Sequence, residues 1–323
     1  MKHWRHWVRV GVGVALIALL IVQFAEIRSV WTTVLRAHPL PLIGCVVIYF
    51  IGVALSCIKW QLLLRAQDIH VSLSHLVLWY LMGSLVGALL PSDVGGDVGR
   101  GYAAARALGE GTAVWSSVVM ERLTGLITLV ALASPALMLM PSMLDVPVWL
   151  PVSASFVALL ATIGIAAALG APPARLMRSS HRGALVFRQV RDVVVRYRSS
   201  AGIVVACLAL SVLFHLFNGL SLWLLALSIT SDASIAIAFL WPIVGLIGLL
   251  PLTPGGLGVR EGIITVLLMR VDMSPDQAVA AAIIGRILLL LCSLAGLPTL
   301  ITTIVNAKAS SSDRKGIQSD VGV

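Results

Sequence analysis

Two short strings in this sequence carry residue types suited to holding an anion. The first reads Leu-Leu-Pro-Ser-Asp-Val-Gly-Gly-Asp-Val-Gly-Arg from Leu89 to Arg100, the second Leu-Leu-Pro-Leu-Thr-Pro-Gly-Gly-Leu-Gly-Val-Arg from Leu249 to Arg260. Both fit L-L-P-x3-G-G-x3-R without a gap. The glycine pairs, Gly95–Gly96 and Gly255–Gly256, tolerate the dihedrals of a break and leave backbone N–H groups open. A helix beginning there presents the positive end of its dipole, which attracts anions. Arg100 and Arg260 add fixed charge one turn later, and a guanidinium can give a phosphate two parallel hydrogen bonds. The chemistry implied is recognition of a phosphate-like headgroup.

Other ionisable residues fall in apolar surroundings. Glu121 and Arg122 are neighbours, Glu261 follows Arg260, and Arg286 lies further on. A charge at membrane depth costs about 2.5–3.5 kcal/mol on insertion scales, so each is a functional candidate by default. The competing reading is a network in which these residues pair and hold the surrounding segments together. Asp93 and Asp97 are read as caps of helix starts, with proton carriage as the alternative. Ser211, His215, Asn218 and Ser221 share one helix face, where polar glue between helices is preferred over substrate contact. Lys59 is read as a snorkelling side chain near the end of its helix. No catalytic spacing joins Asp93, Asp97, Glu121 and His215, so no catalytic residue is assigned and an enzyme is not expected. Cys45, Cys57, Cys207 and Cys292 lie in apolar runs without metal spacing and read as buried small residues. No phosphate-binding loop for ATP is present and no cofactor or metal is implied.

The elements that must position these groups follow from composition. Of 323 residues, 59% are hydrophobic and 11% charged, and mean hydropathy is +1.00. A soluble domain carries about 25% charged residues; this chain reads as an all-α integral membrane protein. Apolar runs long enough to span a bilayer lie near Trp7–Ala25, Leu42–Leu64, Ala113–Met140, Leu150–Gly170, Ala201–Ile229 and Ala278–Val305. Pro39 and Pro41 precede the second run and Pro141 follows the third, as expected at helix boundaries. The basic N-terminus lacks a cleavage signature and reads as an uncleaved first span. Leu76–Arg106 and Ile235–Arg270 are apolar but broken in the middle.

The net charge of +9 does not imply nucleic acid, because most basic residues sit in short loops, as cytoplasmic loops do. Seven arginines crowd Ala171–Ser200, where Val186, Val190, Val193 and Tyr197 have the spacing of an interfacial helix, the alternative being a plain orientation signal. With both termini cytoplasmic, six full spans place 16 basic residues inside and three outside, provided the two broken stretches enter and leave on one side. They are therefore expected to be re-entrant helical hairpins, one from each face. Their matching strings make the halves, about 42–140 and 201–305, an inverted repeat, the plan of many secondary transporters. Residues 1–306 then form a single transmembrane domain, and 307–323 a disordered cytoplasmic tail.

These strings, with Met-Glu-Arg-Leu at Met120–Leu123 and Pro-Leu-Thr-Pro-Gly-Gly-Leu-Gly-Val-Arg-Glu at Pro251–Glu261, resemble the transmembrane, flippase-like domain of the lysylphosphatidylglycerol synthase family. The resemblance covers nearly the whole chain. It implies a bacterial inner-membrane protein that moves an anionic or aminoacylated lipid between leaflets, with membrane lipids as partners. The soluble aminoacyltransferase half of the fused members has no counterpart here, so lysine transfer is not implied. The alternatives are an intramembrane enzyme or accessory subunit acting on a polyprenyl-linked sugar or hopanoid, alongside a synthase or glycosyltransferase, and a small-solute transporter.

Overall fold

The structure, a computed structural model, describes residues 27–89, 94–139, 195–248 and 257–305. Among these the regular elements are all helical. They are α1 (Ile27–Leu35), α2 (Pro39–Arg65), α3 (Leu73–Leu89), α4 (Val94–Leu108), α5 (Gly111–Leu139), α6 (Ala201–Leu227), α7 (Trp241–Gly248), α8 (Val259–Met269) and α9 (Pro275–Ser293). Among the described residues four helices are long and apolar enough to cross a membrane: Pro39–Arg65, Gly111–Ala133, Ala201–Leu227 and Pro275–Val305. At 1.5 Å per residue even the shortest exceeds a hydrocarbon core of about 30 Å. The expected spans at Trp7–Ala25 and Leu150–Gly170, most of the arginine loop and the C-terminal tail lie outside the described residues.

Pro39 and Pro41 sit inside the first turn of α2 rather than ahead of it. First-turn N–H groups have no intrahelical acceptor, so proline loses nothing there. α9 begins at Pro275 behind Ser274, whose hydroxyl accepts from Gln277 N–H while the Gln277 side chain accepts from Ser274 N–H. This reciprocal cap fixes the start of the last long helix. α1 was not legible as a separate helix; it packs Val30 against Val279 and Ala280, and Ser29 donates to Asp276 at 2.6 Å.

Polar contacts tie the two ends of the bundle. At one end the Gln67 amide donates to the Ala113 carbonyl (3.1 Å) and to the Tyr197 hydroxyl, which donates to the Leu63 carbonyl. Tyr197 therefore turns into the protein, only 1% exposed, instead of resting on headgroups, because the Gln67 donor and the Leu63 acceptor stand behind it. Burial pushes its phenol up to about 12. At the other end His38 N–H donates to the Ser228 carbonyl and the Trp223 indole to Ala233. α2 and α6 are thus antiparallel neighbours, and α5 starts at the end where α2 finishes.

The first broken stretch folds back on itself. α3 and α4 meet at Gly83, Gly87 and Gly96, so close that a Cβ built on Gly83 would lie 2.7 Å from the Gly96 carbonyl oxygen. The open end of this hairpin joins Trp60, Leu64, Val114 and Val118 in one apolar core. α7, entered through a 3-10 turn at Ile235–Leu240, and α8 pack with Leu225, Ala226 and Ala281 in a second core. Side chains such as Leu40, Leu216 and Leu291 stay exposed on the outside, as lipid-facing residues do. Arg100 packs on Trp60 of the first core, and Glu261 and Arg286 line a cavity together with Leu222 and Leu225 of the second.

Candidate functional site

Each half contributes an acid on the first turn of the helix that follows its break. In α4 this is Asp97, in α8 Glu261. Each carboxylate accepts from the Nε of an arginine 25 residues later: Asp97 from Arg122, and Glu261 from Arg286 at 2.5 Å. Glu261 also accepts from Gly258 N–H at 2.6 Å, where φ of +80° requires glycine. Glu261 thus caps α8 and anchors α9 together. Asp97, read from sequence as a cap, is instead the shared acceptor of two arginines. Tertiary packing brings Arg122 to it, and an ionised donor binds a carboxylate more strongly than a backbone N–H does.

Arg100 is as enclosed as Glu261, each 4% exposed. Its Nη1 meets Glu121 at 2.6 Å, while Nε and Nη2 reach Asp97 at 3.0 and 2.7 Å. Trp60 and Tyr80 hold its two sides, with ring centroids 4.9 and 4.7 Å from the guanidinium carbon. Such stacking suits arginine, whose planar cation is weakly hydrated. Glu121 therefore pairs with Arg100 and not with its neighbour Arg122. Lys59 does not snorkel: it is 6% exposed, and its ammonium donates to Ser211 Oγ at 3.1 Å and lies 3.9 Å from Glu121 Oε1. These acceptors arrive from α5 and α6, which the sequence of α2 does not reveal.

Arg260 lies over the Trp241 ring at 4.9 Å. Gly95 and Gly96 occupy the first turn of α4, not an unwound break, and one face of Gly96 is filled by α3. Gly255, Gly256 and Asp93 lie outside the described residues. On α6, Ser211 and His215 bridge to other helices, His215 Nε2 to the Gly125 carbonyl at 3.1 Å. Asn218 donates to Phe214 in its own helix and lines a cavity. The four cysteines are free and buried. Among the described residues no three His, Cys, Asp or Glu side chains gather as a metal site.

Three adjoining cavities run through this centre. The middle one, about 310 Å³, is lined by Arg100 and Arg122 from the first half and Arg260 and Arg286 from the second. It shares Arg260 and Arg286 with a smaller cavity of about 120 Å³ beside Trp241 and Asn218. It shares Tyr80, Asp97, Arg100 and Arg122 with a larger one, about 510 Å³, bounded also by Lys59, Glu121 and His215. The aromatic partners of the arginines were missed from sequence, because Trp60, Tyr80 and Trp241 look like ordinary residues of apolar helices until an arginine stacks on them.

Long apolar helices around a buried, arginine-rich centre define a multi-spanning helical membrane protein. Residues 7–296 match the family described as Lysylphosphatidylglycerol synthase TM region, and the chain belongs to that family. It is also similar to a protein of Methanothermobacter thermautotrophicus described as a UPF0104 membrane protein. The two are 26% identical over 317 residues, which cover 89% of this chain and 92% of that relative.

Proposed function

We propose that this protein moves a lipid with an anionic headgroup between the leaflets of the plasma membrane. The observation that carries the reading is the middle cavity, where guanidinium groups from both halves converge. Arginine and an enclosed, low-dielectric setting together favour phosphate. Six full spans with both termini cytoplasmic, and two re-entrant hairpins in an inverted repeat, complete the proposal. An acid–arginine pair 25 residues apart recurs in each half, though it stands four residues out of register with the repeated strings. Two gates leading to one central site is the arrangement alternating access requires. The protein acts on the lipid without chemical change.

Arg122 and Arg260 are the side chains to test. Arg122 is paired with Asp97 but 43% exposed at its side chain, whereas Arg100 is buried in ion pairs with two acids, so loss of Arg100 would confuse folding with transport. In proteoliposomes carrying acyl-labelled phosphatidylglycerol, Arg122→Gln and Arg260→Gln should slow leaflet exchange about tenfold or more, the loss of one charged hydrogen bond. Exchange at the wild-type rate in both variants, at equal protein insertion, would refute the proposal.

A further inference from the structure

The short helix α1 has a use that the central cavities do not supply. It is 9 residues long, Ile27–Leu35. That is about 14 Å, less than half the thickness of a hydrocarbon core, so it cannot cross. Its place is one end of the bundle. Ser29 donates to Asp276 in the first turn of α9, and Val30 packs on Val279 and Ala280. His38, just beyond α1, donates its N–H to Ser228 at the close of α6. The helical turn continues through Arg36, whose N–H reaches the Thr32 carbonyl at 3.1 Å.

At about 100° per residue, the side chains of this segment divide the circle into three. Val30, Val34 and Ala37 pack on the protein. Trp31 and Leu35 come next to Val34 and are 61% and 68% exposed. Arg28, Thr32 and Arg36 take the third side, all of them exposed, and no acid lies among residues 27–36. One side on protein, one apolar and one basic is the pattern of a helix lying in the plane of the membrane interface. Tryptophan is favoured at headgroup level, and arginine there can reach phosphate. The chain then enters α2, whose Leu40, Ile43 and Val47 are likewise exposed. Under the orientation proposed above, on which this inference rests, Arg28 and Arg36 are two of three basic residues outside. Basic residues are biased to the inside, and contact with headgroups accounts for these exceptions. We infer that α1 is an interfacial anchor lying along the outer leaflet. Trp31 and Leu35 sit at the acyl boundary, Arg28 and Arg36 hold phosphate headgroups, and Ser29 and Val30 fasten the anchor to the start of α9.

The test places a nitroxide on the full chain in vesicles, at Leu35→Cys or at Thr32→Cys. It reads collisions with oxygen, which concentrates in the bilayer, and with a water-soluble nickel complex. The native cysteines are buried and give little background. The ratio of oxygen to nickel collisions should be severalfold higher at position 35 than at position 32. Mixing phosphatidylglycerol into phosphatidylcholine vesicles should slow the label at position 32, and Arg28→Gln with Arg36→Gln should remove that effect. A label at position 35 shielded from both reagents, as under another segment of the chain or a second copy, overturns the inference. So does one that meets nickel as often as the label at position 32, or a label at position 32 indifferent to phosphatidylglycerol. The leaflet is read separately: an impermeant maleimide should modify Thr32→Cys in intact cells. Modification only after permeabilisation would overturn the outer-leaflet assignment and the orientation it rests on, while the collision ratios still report the anchor.

Discussion

At the scale of single residues, the centre of this protein is a set of charges that satisfy one another. Arg100 is the keystone: it neutralises Glu121 and half of Asp97 while two aromatic rings enclose it. Removing one partner of a buried pair leaves the other charge uncompensated, at a cost of about 3–5 kcal/mol. Arg100→Ala should therefore lower thermal stability in detergent sharply. Arg100→Ala with Glu121→Gln should recover part of that loss, since the neutral amide no longer needs a cation. If the double variant melts no higher than the single one, the pair is not the source of the stability. Much of this was visible from sequence, because charges in apolar helices stand out. Their pairing was not: Glu121 chose Arg100 over adjacent Arg122, since adjacent side chains on a helix point to different faces.

At the scale of elements, the glycines divide into two kinds. Gly83 and Gly96 let α3 and α4 touch at backbone distance, and a methyl group on either meets the other's carbonyl. Small residues at such crossings supply the packing that lipid-exposed helices cannot obtain from a hydrophobic driving force. Gly202, by contrast, has open space around it. Gly83→Ala and Gly96→Ala should each lower the unfolding temperature in detergent by several degrees and reduce cross-linking between cysteines placed on α3 and α4. Gly202→Ala should change neither. Equal behaviour of all three would show that the hairpin is not held by close approach. The α3–α4 break was legible because glycine and proline interrupt an apolar run. The use of Gly96 as packing surface was not, because the residues it faces lie on a different helix.

At the scale of the whole molecule, two apolar cores adjoin the charged groups, one around Trp60 and Val114, the other around Leu225 and Ala281. The loop at Glu110 belongs to one end and the turn at Ser231 to the other, as the contacts of Ala113 and Ala233 place them. Cysteines introduced at Glu110 and Ser231 should thus label from opposite sides of intact cells with an impermeant reagent, Ser231→Cys directly and Glu110→Cys only after permeabilisation. The buried native cysteines give little background. Labelling of both from one side would remove the inverted arrangement and the two-gate proposal with it. The sequence by itself determined that the chain is helical and lies in a membrane, because lipid forces the backbone to satisfy its own hydrogen bonds and leaves long apolar runs as the trace. It also marked the two repeated glycine–arginine strings and where the apolar runs are interrupted, because proline and glycine act locally. Only the tertiary structure decided which charges pair, that Lys59 is buried, that Tyr197 turns inward, and that arginines from both halves line one cavity. Those outcomes depend on side chains far apart in the chain, whose meeting is set by how the helices pack and by no local signal.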